Sequence, residues 1–277
     1  MTSFPRRTLT TFGCLIALLV GCAQNPPLTT TAGTTTTSTA RALPTGASVT
    51  ARPSGPTGTA SATPPGTTPP AEAVDCTRLR CVALTFDDGP GPMTGTLLDI
   101  LSKNHVPATF FLVGQMVQRH PQMARRIANT PGMTVANHTM THPMLTRISA
   151  TRASAEITQD TRLIQQVTGV RVRFFRPPYG LHNRATDAVA RKLGQAVVVW
   201  SAGALDWQYD TPSKIVQVTL PQISAGSIVL AHDIHPWTIK AVPTLIAKLR
   251  AKGYILVSLD DILGNTRPGA TYARGRH

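Results

Sequence analysis

The chain has 277 residues with 27 lysines and arginines against 13 aspartates and glutamates, a net charge of +14, and only 5% of it is aromatic. Such a basic balance invites nucleic acid, but no aromatic-interleaved basic stretch or nucleic-acid module is present, so no nucleic-acid partner is expected. The excess charge suits lipid headgroups or a cell-wall polymer instead, or solubility alone, and the uneven composition leaves about three quarters of the chain foldable.

Residues 1–22 read as a lipoprotein signal peptide. Arg6 and Arg7 give a positive start, and Phe12 to Val20 form an apolar run too short for a bilayer, which needs roughly 18 residues or more. Leu19-Val20-Gly21-Cys22 resembles the bacterial lipobox, which makes Cys22 the expected lipidation site and a lipid anchor the expected membrane contact. Cys14 reads as a thiol within the signal, and the arginine pair carries only part of a twin-arginine motif. Residues 23–73 are almost entirely Thr, Pro, Ala, Gly and Ser; without a periodic apolar face they cannot offset the entropy of ordering, and a disordered linker is expected. Together these features place the protein outside the cell, at the outer face of the cytoplasmic membrane or secreted into a bacterial envelope. In that setting Cys76 and Cys81 read first as a disulfide.

From Cys81 onward, short apolar runs alternate with amphipathic segments. The runs are "CVALTF" (81–86), "ATFFLV" (108–113), "MTVAN" (133–137), "VRFFR" (172–176), "AVVVWS" (196–201), "SIVLAH" (227–232) and "YILVSL" (254–259), continuous as expected of strands buried on both faces. Between them, Ser149 to Thr168 keeps Ala153, Ile157, Ile164 and Val167 near a 3.6 period and stops at Gly169; Arg184 to Leu193 repeats that logic before Gly194. Strand and helix alternation of this kind predicts an α/β fold with a parallel sheet, open or closed into a barrel.

The chemically unusual residues fall where the runs end, which in α/β barrels is where sites are built. In "TFDDGP" two repelling carboxylates, Asp87 and Asp88, stand side by side and call for a cation near them. "NHTMTHP" offers a holder for it: His138 and His142, four apart, can present two imidazoles on one side of a turn or helix, and with Asp88 they make a two-His-one-carboxylate set. Alone the His pair is weak, and it lacks the Glu of the zinc-protease helix. Each residue also has a plain reading: Asp87 or Asp88 as a helix cap, Arg176 in a surface ion pair, Trp207 in the core, Tyr179 as a turn residue. Asp233 and His235, beside His232, read as supporting groups.

In their order and intervals, "TFDDGP", "HTMTH", "FRPPYG", "LDW" and "VLAHDIH" resemble the motif set of the NodB-like polysaccharide deacetylases, carbohydrate esterase family 4, from about Cys81 to Leu259. The resemblance implies a distorted seven-stranded (β/α) barrel over residues 74–265, with 266–277 as a basic C-terminal tail. It also implies one divalent metal, zinc, with cobalt, nickel or manganese as alternatives. Asp88, His138 and His142 would then be ligands, Asp87 the general base and His232 the general acid. Arg176 would orient Asp87, the Tyr179 N–H would help hold the oxyanion, and Pro178, Trp207 and Leu230 would contribute to substrate binding. Many members carry Asp-x-x-Asp-Trp where this chain reads "GALDW"; Gly203 replaces the first acid and Asp206 is left as the tuning group. The expected activity is removal of acetyl groups from N-acetylglucosamine units of peptidoglycan or chitooligosaccharide, by a monomer. An O-acetyl esterase acting on xylan or another glycan, and a non-catalytic wall-binding lipoprotein, are the alternatives.

Overall fold

The computed structural model describes residues 74–276; the signal segment, Cys22 and the linker lie outside them. Each of the seven apolar runs carries a strand: β1 (Cys81–Asp87), β2 (Ala108–Leu112), β3 (Met133–Asn137), β4 (Phe174–Phe175), β5 (Ala196–Val198), β7 (Ser227–His232) and β8 (Ile255–Val257). Two strands of two residues each join them, β6 (Ala202–Gly203) and β9 (Thr271–Tyr272). The helices are α1 (Thr94–Lys103), α2 (Gly114–Arg119), α3 (Pro121–Asn129), α4 (Ala150–Thr168), α5 (Arg184–Lys192), α6 (Pro212–Thr219), α7 (Pro236–Ala251) and α8 (Leu259–Leu263).

The strands form one sheet in the order β6-β7-β1-β2-β3-β4-β5-β9, with β8 pairing the first residues of β1. All pairings between these strands are parallel. Only Val199 to Ser201 separate β5 from β6, yet those strands lie near opposite ends of the order. Val199 N donates to Tyr272 O (2.9 Å) and Ser201 N to Ile228 O (3.1 Å), so this short link curls the sheet back on itself into a distorted barrel.

Strand alternation sorts the side chains into two cores. Val82, Leu84 and Phe86 of β1, with Phe110 of β2 and Val229 of β7, pack outward against the helices. Cys81, Ala83, Phe111 and Ile228 pack inside the barrel. The odd residues of β1 are therefore the inward ones, and this series continues to Thr85 and Asp87, both buried. The disulfide Cys76–Cys81 closes the loop leading into β1.

Local chemistry sets the helix ends. Ser149 caps α4 by accepting from Arg152 N (3.2 Å), and Gly169 ends it at φ 74°, a left-handed conformation that costs glycine no Cβ clash. Asn183 and Thr186 form a capping box at the start of α5.

One expectation needs correction. Residues 266–276 do not trail away as a basic tail: Gly269 N donates to Gln195 O (2.7 Å) and Val197 N to Ala270 O (2.9 Å), which docks β9 against β5. The edge of β5 would otherwise be unpaired, and the chain end covers it. Among the described residues no helix is long and apolar enough to cross a membrane.

Candidate active site

Asp87 ends β1 on its inward face. In regular strand geometry Asp88 would point the other way, but its φ of 74° turns the chain so that both carboxylates reach the same space. Five of the six non-glycine residues with positive φ among those described, Asp88, Thr139, His142, Tyr179 and Leu205, sit in loops at this end of the sheet. Such conformations cost on the order of 1–3 kcal/mol each, and their clustering is what a functional site produces. Gly89 is needed here for another reason: a Cβ would lie 2.2 Å from the Asp233 carboxylate, which sits beneath the loop and accepts from Thr94 Oγ1.

His138 and His142 leave β3 on a turn rather than a helix. The turn is held by Glu156 of α4, which accepts from Thr141 N and Thr141 Oγ1, each at 2.8 Å. His138 N also donates to Asp160, deeper in α4 (3.1 Å). The ring of His138 donates from Nδ1 to Arg176 O (2.7 Å), which leaves the Nε2 lone pair facing Asp88. Burial pushes its pKa down to about 3, outweighing the attraction of Asp88 for a proton, so the imidazole is neutral, the form that binds metal. Asp88 Oδ1 lies 3.5 Å from His138 Nε2 and 3.4 Å from His142 Nε2, and it is buried without a hydrogen-bond partner. Donors bound to one tetrahedral cation at about 2.0–2.1 Å lie about 3.3 Å apart, close to both Asp88 separations. Asp88, His138 and His142 are the group of potential metal ligands found among the described residues.

Asp87 stands apart from that group. Its Oδ1 accepts from Arg176 Nη1 (2.7 Å), and Oδ2 is 3.6 Å from His138 Nε2. Burial raises its pKa, with Arg176 acting in the other direction. Arg176 is wholly buried: Nε and Nη2 donate to the Val198 and Val199 carbonyls (3.1 Å each), Nη1 also reaches Thr85 Oγ1 (2.8 Å), and the guanidinium lies 4.0 Å over the Phe111 ring. This is no surface ion pair, and neither aspartate caps α1, whose N-cap is Met93.

Across the opening stands His232, in register with Asp87 on the neighbouring strand. Its Nδ1–H donates to Asp206 Oδ1 (2.7 Å), while Asp206 Oδ2 accepts from His232 N (2.8 Å) and Thr238 Oγ1 (2.7 Å). Burial disfavours charge on His232, but the Asp206 contact prevails and pushes its pKa up to about 9. His232 is therefore protonated at neutral pH, with Nε2 directed toward Asp88 Oδ2 (3.9 Å).

These groups line a cavity of about 430 Å³ together with Tyr179, Trp200, Trp207 and Leu230. Tyr179 and Trp207 are 58% and 48% exposed, too open for turn filler or core, and their rings stand 4.9 Å from His142 and 5.5 Å from His232. Pro178 is buried beneath this turn and does not line the cavity, which corrects its expected place in substrate binding.

Residues 75–198 match the model of the family described as "Polysaccharide deacetylase". A chitooligosaccharide deacetylase of Bradyrhizobium is 37% identical over 196 residues, which cover 65% of this chain and 89% of that protein. This chain belongs to the polysaccharide deacetylase family. The peptidoglycan-N-acetylglucosamine deacetylase PgdA of Listeria monocytogenes is 35% identical over 184 residues, covering 66% of this chain but 39% of the relative's length. Among solved structures, one titled "T48 deacetylase with substrate" superposes with TM-score 0.68 at 40% identity, covering 72% of this chain and all (100%) of the other.

Two features of this family member stand out against the sequence reading. Gly203 lies in β6, where Gln222 pairs with both its N–H and its carbonyl (3.0 and 2.9 Å), and Asp206 alone holds His232. Trp200 was missed; it follows β5, lines the cavity, and lies within 5.8 Å of Arg176. Its one signal was an aromatic residue at a strand end.

Proposed function

We propose that the protein is a metal-dependent N-deacetylase acting on N-acetylglucosamine units of peptidoglycan. The observation that carries this reading is the division of labour between adjacent aspartates: Asp88 turned to two imidazole Nε2 atoms, Asp87 held by a buried arginine, with a protonated His232 across the cavity. Asp88, His138 and His142 would hold the ion, with zinc the best fit to one carboxylate and two imidazoles and cobalt, nickel or manganese as substitutes. A divalent ion in that position supplies Lewis acidity, lowering the pKa of water and polarising a carbonyl.

The chain's own residues do the rest. Asp87, raised by burial and fixed by Arg176, accepts the proton of the attacking water. The backbone N–H of Tyr179, in a turn with φ 61° at the cavity, would donate to the developing oxyanion. His232 gives its Nε2 proton to the leaving nitrogen, which cannot depart as an amide anion, and Asp206 stabilises the charged ring beforehand. Trp207 and Leu230 would enclose the acetyl methyl, with Trp200 lining the same cavity. A chain exported by residues 1–22, anchored through Cys22 and spaced by residues 23–73 would meet peptidoglycan where it lies.

Side-by-side assays of acetate release from peptidoglycan, chitooligosaccharide and acetylxylan test the reading. Release from the N-acetylated glycans is expected. Release from acetylxylan alone would make the protein an O-acetyl esterase, and release from none would make it a binding protein.

A further inference from the structure

The exposed large hydrophobic residues of the described region divide between two places. Tyr179 and Trp207 line the cavity, with Leu181 two residues beyond Tyr179, whereas Leu79 (41% exposed) and Ile255 (39%) lie at the opposite end of β1. Cys81 pairs with Ile255, and Ile255 N donates to Arg80 O (2.9 Å). At about 3.3 Å per residue, the length of β1 sets this pair about 20 Å from Asp87.

Cations frame the two aliphatic side chains. Arg78 and Arg80 flank Leu79, and all three are exposed. Arg80 bonds the Lys252 carbonyl (2.8 Å) while lying 4.2 Å over the Tyr254 ring, which fixes it beside Ile255. Arg250, in the last turn of α7, donates to Asn104 O (2.5 Å), and both it and Lys252 are exposed. Asp75 is the acid of this stretch, opposed by Arg78 and Arg276. Residues 1–73 join the described region here too, at Val74, next to the Cys76–Cys81 disulfide.

We propose that this end of the barrel is a docking face for an anionic lipid bilayer, independent of the catalytic reading. Leu79 and Ile255 enter the headgroup boundary, and Arg78, Arg80, Arg250 and Lys252 meet lipid phosphates. Exposed aliphatics set among cations match a bilayer surface, which offers both an apolar layer and negative charge. A soluble polyanion offers only the charge. Val74, where the described region begins, stands beside this face at the end of β1 away from Asp87, so docking turns the cavity away from the lipid.

The test is cosedimentation of the full chain, without lipid modification, with vesicles of phosphatidylcholine alone or mixed with phosphatidylglycerol. Two double variants, L79S/I255S and R78S/K252S, are compared with the parent. Residues 1–73 are common to all three, so differences between them report this face. Circular dichroism and acetate release from soluble chitooligosaccharide, both expected unchanged, show that the variants fold. Binding is expected to need phosphatidylglycerol, to weaken about thirtyfold in R78S/K252S, from ~1 kcal/mol per cation near an anionic surface, and to weaken about tenfold in L79S/I255S. Equal binding to both kinds of vesicle would overturn the proposal. So would an L79S/I255S affinity equal to the parent's, or capture by polyglycerol phosphate that falls in R78S/K252S when vesicle binding does not.

Discussion

Asp87 and Asp88 are neighbours in sequence with opposite tasks, and substitution separates them. Asp87→Asn keeps the Arg176 contact but removes the proton acceptor. Acetate release is expected to fall by roughly 10²–10⁴-fold while bound metal, measured by elemental analysis, stays at the parent level. His232 gives a second handle. Its pKa of about 9 lies above the ordinary histidine value of 6.5, so the protonated acid is present through neutral pH and activity falls as pH rises through about 9. The same sign holds for folding: the stability gained from the charged ring is complete below pH 6.5 and lost as pH climbs through about 9. Asp206→Asn takes away the group that raises it. The alkaline limb of the pH–rate profile is then expected to move toward lower pH, read from kcat over a pH series; an unmoved limb would show that Asp206 does not set the acid.

Elements lying in a clear apolar run were legible, including the two-residue β4 inside "VRFFR", and β6 and β9, which lie in no such run, were not. The helix read as Ser149 to Thr168 is α4, because a serine cap, a continuous apolar stripe and a glycine stop mark it independently. Ser149→Ala is expected to cost about 1 kcal/mol, measured as a lower urea midpoint. β6 and β9 left no trace in the pattern, since two residues define no period. For β9 the misreading as a tail followed from the Arg and Gly content of residues 266–277, while what fixes it is backbone pairing with β5, which composition does not report. Deleting residues 266–277 strips those hydrogen bonds from β5 and is expected to destabilise the fold on the order of 3 kcal/mol, read by the same urea titration. The candidate metal triad was legible because Asp88 and His138 follow strand ends and His142 stands four residues after His138. The backbone turns that aim Asp88 and His142 inward, and the complete burial of Arg176, needed the fold to become visible.

In the whole molecule, one parallel sheet gathers residues from Asp87 to His232 at a single end, because every strand of the sheet runs the same way. The catalytic proposal needs three groups at once: a bound ion, a separate base and a protonated acid. The most direct measurement is acetate release from an N-acetylated chitooligosaccharide by the metal-stripped chain, before and after zinc is returned, with Asp87→Asn protein assayed in parallel for both activity and zinc content. Stripped protein should be inactive and recover with zinc, and Asp87→Asn should hold one zinc per chain yet stay nearly silent. Full activity after stripping, or parent-level activity in Asp87→Asn, would show that the adjacent aspartates do not divide the work in this way.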